Sequence, residues 1–305
     1  MAAIVSGEGE VLAREYTPTL AGEGPEAVIN RLGLAIDHML SLRNVSPSPI
    51  GAISIAAAGP IDMEQGIVTA SPNLPGWTNI PLRRLIAEKF KLKVFLLNDA
   101  KAAALGEYRF GAGKGANNLI YVTVSTGIGG GIIIDGQLYS GSSGGAGEIG
   151  HMTIDINGPK CNCGNTGCLE MLASGTAIAR EAARRLRAGE QSTLIEMAGG
   201  RVENVTSEKV AAAARQGDAL ARDVIAGAAG YLGVGMVNLV NIFNPDTIII
   251  GGGVAKMGDL LFHPVRQAVR ERAFTLHAQA VHILPARLGD DAGVIGAAVF
   301  AFEAC

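Results

Sequence analysis

The residues with the clearest chemical potential are three cysteines and a histidine in the middle of the chain. Cys161, Cys163 and Cys168 lie within eight positions, and His151 precedes the first of them by ten. Three thiolates and one imidazole make a complete tetrahedral donor set, which suits a structural zinc ion. Disulfides and unpaired buried thiols are the alternatives, and an uneven cluster in a chain interpreted as cytosolic argues against disulfides. The spacing therefore predicts a zinc site.

Two glycine-rich turns, each directly after an apolar segment, could bind phosphate groups. The first lies within Val124–Gly131, and the second is a run of three glycines after Ile248–Ile250. Backbone N–H groups in such turns, helped by the hydroxyls of Ser125 and Thr126, can hold phosphate oxygens. Either turn alone fits an ordinary connection between strands equally well. Their occurrence together favours a nucleotide site and leaves the ordinary interpretation open.

Three carboxylates stand where general-base or hydroxyl-binding chemistry is possible. Asp99 follows Asn98 at the end of an apolar segment, the edge at which α/β proteins place their ligands. The same pair suits the N-terminal cap of a helix, and spacing alone favours that interpretation. Glu148 and Glu170 flank the cysteine cluster, either as ordinary surface residues or as groups that the metal orients toward a polyhydroxyl ligand.

Alternating strand and helix patterns are typical of an α/β fold. The first part of the chain predicts a hairpin at 2–17, strands near 50–56 and 94–97, and helices beginning at 25, 81 and 99. The second part predicts strands near 119–124, 132–134 and 247–250, and helices near 174–187, 207–243 and 258–272. A glycine-rich, hinge-like loop at 110–116 separates the two parts, which predicts a domain boundary near residue 115.

The composition is that of an acidic, core-forming protein. The 305 residues are 48% hydrophobic and 17% charged, with a formal net charge of −3. These values exclude a disordered chain and argue against nucleic acid or an anionic membrane surface as a partner. The apolar segment 224–243 is long enough to span a bilayer, but its glycines and asparagines favour a buried helix. Without a visible secretory signal, a cytoplasmic location is expected.

Taken together, these motifs resemble those of the ROK family (repressor, open reading frame, kinase), which belongs to the actin-like ATPase superfamily. The glycine run at 124–131, continued by Gly141, Gly147 and Gly150-His151, fits the family signature. The run from Cys161 to Glu170 fits the family's zinc knuckle. Four further segments stand in the expected order, namely Ser71–Trp77, Asn98–Ala100, Asn244-Pro245 and Gly251–Val254. The resemblance covers nearly the whole chain.

The resemblance implies a two-domain actin-like ATPase (ribonuclease H-like) fold. A small sugar-binding domain would comprise 1–115 and the C-terminal helix 290–305, and a large domain at 116–289 would hold the nucleotide-binding turns and the zinc knuckle. The implied activity is ATP-dependent phosphorylation of a hexose, foremost glucose to glucose 6-phosphate at the entry to glycolysis. ATP, Mg²⁺ and structural Zn²⁺ are the implied cofactors, and a homo-oligomer (dimer or tetramer) is the implied assembly.

The resemblance also implies a role for each candidate site residue. Asp99 would be the general base for a sugar hydroxyl, and the other sugar-binding residues would be Gly59, Asn98, Glu148, His151 and Glu170. The nucleotide would contact Thr126, Gly127, Gly129, Gly252 and Gly253. Zinc would be held by His151, Cys161, Cys163 and Cys168, with the second ring nitrogen of the histidine facing the sugar. Catalysis would require the two domains to close over the substrates.

The chain departs from the family pattern at its start. Members begin with a strand and an Asp-x-Gly-Gly-Thr-Lys phosphate loop ahead of the segment that Ala2–Ser6 matches, and neither is found in this sequence. The first strand of the fold is therefore expected to be missing, with a misplaced start or a truncation as the most economical account. Loss of that strand and of the loop's donors predicts a chain that is poorly stable and nearly inactive with ATP.

Several alternative functions remain open. N-acetylmannosamine, allose or fructose could be the sugar, and a catalytically impaired sugar-binding protein is compatible with the missing loop. A DNA-binding regulator is disfavoured, because family regulators carry a helix-turn-helix ahead of the kinase fold and this acidic sequence shows none.

Overall fold

A computed structural model describes residues 1–42, 45, 49–71 and 74–304, and strands and helices alternate along it as predicted. The strands are β1 (Ala2–Val5), β2 (Val11–Glu15), β3 (Ala52–Ala57), β4 (Ile61–Asp62), β5 (Ile67–Ala70), β6 (Thr78–Ile80), β7 (Lys93–Asn98), β8 (Leu119–Val124), β9 (Ile128–Ile134), β10 (Gln137–Tyr139), β11 (Thr247–Gly251) and β12 (His282–Pro285). The helices are α1 (Pro25–Ser41), α2 (Leu82–Phe90), α3 (Asp99–Phe110), α4 (Leu169–Ala173), α5 (Gly175–Arg187), α6 (Leu194–Met197), α7 (Ser207–Arg215), α8 (Ala219–Phe243), α9 (Asp259–Arg272), α10 (Thr275–Ala280) and α11 (Ala292–Ala304). Pro72 and Asn73 of the Ser71–Trp77 motif lie outside the described residues.

The first compact unit comprises residues 1–115, 131–147 and 287–305. Within it β1 pairs antiparallel with β2, β3 pairs parallel with β7, and β4, β5 and β6 form a small antiparallel sheet. Its hydrophobic core includes Val68, Trp77, Leu82 and Ile86. Because β3 and β7 run in parallel, their carboxyl ends lie at one edge. The predicted loss of a first strand is not decided by these pairings and stays a prediction.

Residues 131–147, which the sequence analysis assigned to the large domain, cluster instead with this first unit. The backbone of β9 lies against α3, since a Cβ on Gly131 would stand 2.5 Å from the Cβ of Ala104. The buried Lys101 also donates from Nζ to the carbonyl oxygen of Gly144 at 2.5 Å. Close packing on α3 thus explains the different grouping, and the functional roles of the two domains stay predictions.

Glu107 anchors two loops of the first unit to α3. Its side chain is 0% exposed, and Oε2 accepts a hydrogen bond from the Ala112 N–H at 2.8 Å. Oε1 accepts from the N–H groups of Arg287 and Leu288, at 2.9 and 2.7 Å. The carboxylate therefore joins the loop after α3 to the segment that leads into α11.

We expect Glu107→Gln to lower the free energy of unfolding by about 2–4 kcal/mol, because the new amide NH₂ must face at least one of these backbone donors. Urea denaturation would measure the change. Glu303→Gln, at an exposed site on α11, is the control and should change stability by less than about 0.5 kcal/mol. An equally small effect at Glu107 would contradict the anchoring role.

The second unit comprises residues 116–130 and 148–286. Its β11 pairs in parallel with both β8 and β12, so these three strands form a parallel sheet within this unit. The central strands are fully buried, with Ile248, Ile249 and Ile250 each 0% exposed. Both predicted glycine turns follow strands of this sheet, so the elements needed to place them are present.

The predicted helix at 207–243 is wrong in one respect, because two helices occupy that range. Gly217 takes a positive φ of 97°, which ends α7, and Asp218 begins α8. The Asp218 carboxylate accepts from the Ala221 N–H at 2.9 Å, and from the Ser192 hydroxyl and Thr193 N–H at 2.8 Å each. The Gly-Asp pair is a recognisable signal for the end of one helix and the start of the next. The prediction gave more weight to the continuous apolar pattern and therefore missed the break.

The hydrogen bonds at Asp218 predict a pH-dependent contribution to stability. Burial raises the pKa of this carboxyl, but the bonds from Ala221, Ser192 and Thr193 outweigh it, so the net shift is downward. The stabilisation is therefore present above the unfolded pKa of about 3.9 and is lost as the pH falls through the lower, folded value. Because the amide NH₂ of asparagine cannot accept a hydrogen bond from these donors, we expect Asp218→Asn to cost about 1 kcal/mol at pH 7 and progressively less toward pH 3, measured by thermal unfolding. A difference that does not shrink would contradict the charge-based explanation, and exposed Asp223→Asn serves as the control.

Among the described residues, a single helix, α8, is both long enough and apolar enough to cross a membrane. Of its most apolar window, 56% is buried, and the helix packs against α4, α5, α7 and α9. This packing is typical of a core helix and agrees with the predicted buried helix.

Candidate functional site

In the first unit, three predicted site residues lie together at the ends of β3 and β7. Ala57 stands opposite Asn98 in the parallel pair, and the chain turns at Gly59 just beyond β3. Asn98 donates from Nδ2 to the Gly59 carbonyl oxygen at 3.2 Å. Gly59 has a φ of 96°, and a Cβ there would lie 2.4 Å from the carbonyl oxygen of Ala70. This turn therefore requires glycine.

The sequence left two interpretations of the Asn98-Asp99 pair, a helix N-cap and a ligand-facing carboxylate, and each residue fits one of them. Asn98 is the N-cap of α3, since its Oδ1 accepts from the N–H groups of Ala100 and Lys101 at 2.9 and 3.2 Å. Asp99 is the first residue of the helix, and its Oδ1 accepts from Ala100 N at 2.9 Å. Its side chain is exposed at the strand edge. A carboxylate so placed can take a proton from a ligand hydroxyl.

In the second unit, the predicted metal ligands form one compact cluster. The ligand atoms of His151, Cys161, Cys163 and Cys168 all lie within 4.8 Å of one another. The Cys163 and Cys168 sulfurs are 3.7 Å apart, as are the Cys161 sulfur and Nδ1 of His151. Sulfurs on a tetrahedral zinc with bonds of about 2.3 Å stand about 3.8 Å apart. The spacing thus fits such a metal.

Two tight turns bring the cysteines together. Gly164 has a φ of 94°, and a Cβ on Gly167 would lie 1.6 Å from the Asp155 carbonyl oxygen. Burial, followed by hydrogen bonding with the neighbouring thiols, raises the pKa of Cys168 to about 12. A backbone N–H of Asn165 lowers the pKa of Cys163. Because the thiolate is the form of cysteine that binds a metal, metal affinity at this cluster is expected to depend on pH.

His151 places its two ring nitrogens on different sides. Nδ1 lies toward the Cys161 sulfur, whereas Nε2 lies 3.9 Å from the Glu148 carboxylate. Both side chains are partly exposed, at 37% for His151 and 53% for Glu148. A metal on Nδ1 would keep the proton on Nε2, so this edge of the cluster would present one donor and one acceptor to a polyhydroxyl ligand.

Glu170 has a partner that the sequence analysis missed. Its Oε2 accepts from the backbone N–H of Ile128 at 2.8 Å, and a Cβ on Gly127 would lie 2.3 Å from that oxygen. The carboxylate therefore ties α4, which follows the cysteine cluster, to the first glycine turn. The glycine at 127 is explained by this close approach.

A pocket of about 270 Å³ in the same unit opens beside the glycine turns. Five hydroxyl side chains line it, those of Ser125, Thr126, Thr176, Thr206 and Ser207. Two helices, α5 and α7, begin at its wall, and their N-terminal N–H groups and dipoles attract anions. The Thr176 hydroxyl donates to the Thr126 carbonyl oxygen at 2.8 Å, which joins α5 to the first turn.

The predicted nucleotide residues divide between the pocket and its supports. Thr126 and Gly253 line the pocket, whereas Gly127, Gly129 and Gly252 are not among its lining residues. Gly252 instead lets the end of β11 approach β8, since a Cβ there would lie 2.4 Å from the Val124 carbonyl oxygen. The sequence analysis missed the lining residues at the starts of α5 and α7, namely Thr176, Thr206, Ser207 and Glu208. Helix-cap sequences ahead of both helices were the available signal.

Comparison with known proteins gives consistent matches along the chain. The sequence profile of the ROK family matches residues 1–304. A glucokinase from Thermotoga maritima is 38% identical over 298 residues, which cover 97% of this chain and 91% of that relative. A xylose repressor from Caldicellulosiruptor bescii is 37% identical over 288 residues, which cover 94% of this chain and 71% of that relative.

Solved structures agree with the sequence comparison. The crystal structure of a ROK family glucokinase from Streptomyces griseus, in complex with glucose and AMPPNP, matches with a TM-score of 0.86 at 34% identity. The match covers 99% of this chain and 95% of that one, so the mixed α/β architecture is the actin-like ATPase fold. With the family profile extending over all but the final residue, the chain belongs to the ROK family.

Proposed function

We propose that this protein is a sugar kinase that transfers the terminal phosphoryl group of ATP to a hexose, foremost glucose, giving glucose 6-phosphate. The observation that carries the proposal is the Asn98-Asp99 pair at the ends of two parallel strands, with Asn98 hydrogen-bonded to Gly59, in a chain of the ROK family. Relatives named glucokinase, from Thermotoga maritima and other bacteria, support glucose as the first candidate.

In the first unit, Asp99 is proposed as the general base. Its exposed carboxylate would accept the proton of the sugar hydroxyl while that oxygen attacks the phosphorus. Asn98 is held by its bonds to Gly59, Ala100 and Lys101, so its amide is fixed before substrate arrives. A fixed amide beside the base would orient the sugar and so position the attacking hydroxyl.

In the second unit, Glu148, His151 and Glu170 are proposed to bind sugar hydroxyls. The Glu148 carboxylate and Nε2 of His151 lie 3.9 Å apart and both side chains are partly exposed, which supports this proposal. Glu170 keeps one oxygen on the Ile128 N–H. A sugar bound by Glu170 would therefore contact the same side chain that is hydrogen-bonded to the first glycine turn.

The nucleotide is proposed to bind at the hydroxyl-lined pocket and the adjoining turns. Thr126 and Gly253 line it directly, and Gly127, Gly129 and Gly252 shape the strands beside it. Two helix N-termini would supply backbone donors for anionic phosphates. Mg²⁺ bound with ATP would neutralise phosphate charge.

Zinc is proposed to be structural, held by His151, Cys161, Cys163 and Cys168. Their mutual distances fit a closed tetrahedral set without room for a reacting ligand. The metal would hold the knuckle that carries His151 and leads into Glu170.

A coupled assay of ADP release with a panel of hexoses tests the proposal. We expect turnover with glucose to exceed that with N-acetylmannosamine, allose and fructose, and the product to be glucose 6-phosphate. Faster turnover of another hexose would support the kinase activity but show that glucose is not the preferred substrate. The assay is run on this chain and on a version extended by the family's N-terminal strand and phosphate loop. No sugar-dependent ADP release from either, with zinc present and the chain folded, would overturn the kinase proposal.

The match to a xylose repressor favours a second candidate, a sugar-responsive protein that binds without catalysis. Calorimetric binding of glucose or xylose with no ADP release would support it. We further propose a cytoplasmic location. We also propose a homo-oligomer, and light scattering of the purified protein would measure its mass.

A further inference from the structure

A second cavity of about 780 Å³ lies in the second unit, outside every residue assigned above to sugar, zinc or nucleotide. It is formed by the end of α7, the first half of α8, the turn at Val254–Met257 and α9. Its basic lining residues are Arg215, Arg222, Arg266, Arg270 and His263. Its volume is within the range of small-molecule sites, which is roughly 300–1,000 Å³.

Three of the four arginines are held in place by main-chain carbonyl oxygens. Arg215 and Arg222 each donate once, at 2.7 and 3.0 Å, and Arg266 donates from two nitrogens to a single carbonyl at 3.0 and 2.8 Å. Arg270 is exposed. Among the described residues, none of the four forms an ion pair with a carboxylate. Their charges are therefore oriented but not neutralised.

The charge of this cavity contrasts with that of the whole chain. Four arginines face a single lining carboxylate, Asp259, whereas the chain carries a formal net charge of −3. Between the charges the lining is apolar, from Ile225, Met257, Leu260 and Pro264. Guanidinium groups match phosphate oxygens with paired hydrogen bonds, and an apolar floor accepts the ring or hydrocarbon part of a ligand.

We infer that this cavity is a second binding site, for a phosphorylated small molecule that carries an apolar or ring-shaped body. A bare inorganic anion would leave the apolar lining without a partner, and a neutral sugar would leave the arginines without one. A nucleotide satisfies both, and a sugar phosphate satisfies the arginines. The shared chemistry is the phosphate ester.

Titration calorimetry of the full chain with ADP, glucose 6-phosphate and inorganic phosphate, each in saturating glucose, tests the inference. We expect a phosphate ester to bind at one site beyond the proposed catalytic one, and more tightly than inorganic phosphate. Which ester binds distinguishes a nucleotide from a sugar phosphate. Arg270→Gln should weaken this binding about tenfold or more, because a charge-assisted bond is lost.

The matched control is Arg272→Gln, which removes the same charge two positions later on α9, at an exposed residue outside the cavity lining. It should leave the additional binding unchanged, and both variants should keep the native melting temperature. Equal weakening by the two variants would mean diffuse attraction and would overturn the site. Absence of the additional binding in the native protein would also overturn the site. The same holds if Arg270→Gln changes only the oligomeric state or the binding of a short DNA.

A failure of the proposed kinase is distinguishable, because it would remove catalytic ADP binding from both variants alike. The difference between Arg270→Gln and Arg272→Gln would survive.

Discussion

Replacing Asp99 by asparagine should lower turnover about 100-fold or more while leaving glucose affinity within about threefold. The substitution keeps the size of the side chain and the helix start, because Asn98 and not Asp99 is the N-cap of α3. An amide oxygen can still accept from the Ala100 N–H as Oδ1 does now at 2.9 Å. It cannot take up the proton that the sugar hydroxyl must lose. Steady-state ADP release and calorimetry with glucose would measure the two effects separately.

A charge change elsewhere in the same unit provides the control for this result. Glu88→Gln removes an exposed carboxylate from α2 and should leave both turnover and glucose affinity unchanged. Near-native turnover in Asp99→Asn would contradict the general-base assignment. Loss of glucose binding equal to the loss of turnover would instead make Asp99 a binding residue.

Short-range signals in the sequence were sufficient for the parts of the site that lie close along the chain. The clustering of the histidine and the three cysteines was predicted because these residues fall within one segment, and the two glycines between the cysteines allow the turns that the sulfurs need. Asn98 was placed at a strand end from its local sequence, whereas Gly59 was assigned to the sugar only through the family resemblance. Parallel pairing of β3 with β7 brings the two together.

Contacts between distant segments were not predictable in the same way. The bond from Ile128 to Glu170 joins residues 42 positions apart, and nothing in either local sequence specifies it. The local sign of this contact is Gly127, which was interpreted from the sequence as a phosphate-binding glycine. In the structure, a glycine is required there because the Glu170 carboxylate approaches closely. A glycine-rich motif thus predicts close backbone approach without saying what approaches.

The grouping of 131–147 with the first unit has a similar cause. Strand β9 begins in one compact unit and continues into the other, and the contact of Gly131 with α3 decides where its end belongs. Composition along the chain changes near residue 115 but carries no information about this return. Domain boundaries that a strand crosses depend on packing, which only the folded chain shows.

The proposed zinc site, formed by His151, Cys161, Cys163 and Cys168, gives the other large expected effect. Purified protein should contain about one zinc per chain, and Cys163→Ser should lose most of it, because a hydroxyl is a poor ligand where a thiolate is required. We expect glucose affinity to fall about tenfold or more and the melting temperature to fall as well. His151 is itself a ligand, and Cys168 directly precedes α4, which carries Glu170. Losing the metal would therefore release both proposed sugar contacts at once.

Metal analysis, thermal unfolding and glucose calorimetry on the same preparations would test this coupling. Cys305→Ser is the control, since it removes the one cysteine outside the cluster and should change none of the three measurements. A strong chelator added to native protein should reproduce the effects of Cys163→Ser, and added zinc should reverse them. If native protein holds no zinc and its clustered thiols titrate freely, the knuckle is not a metal site. If zinc is lost but glucose affinity is kept, the metal does not position His151 and Glu170 for sugar binding.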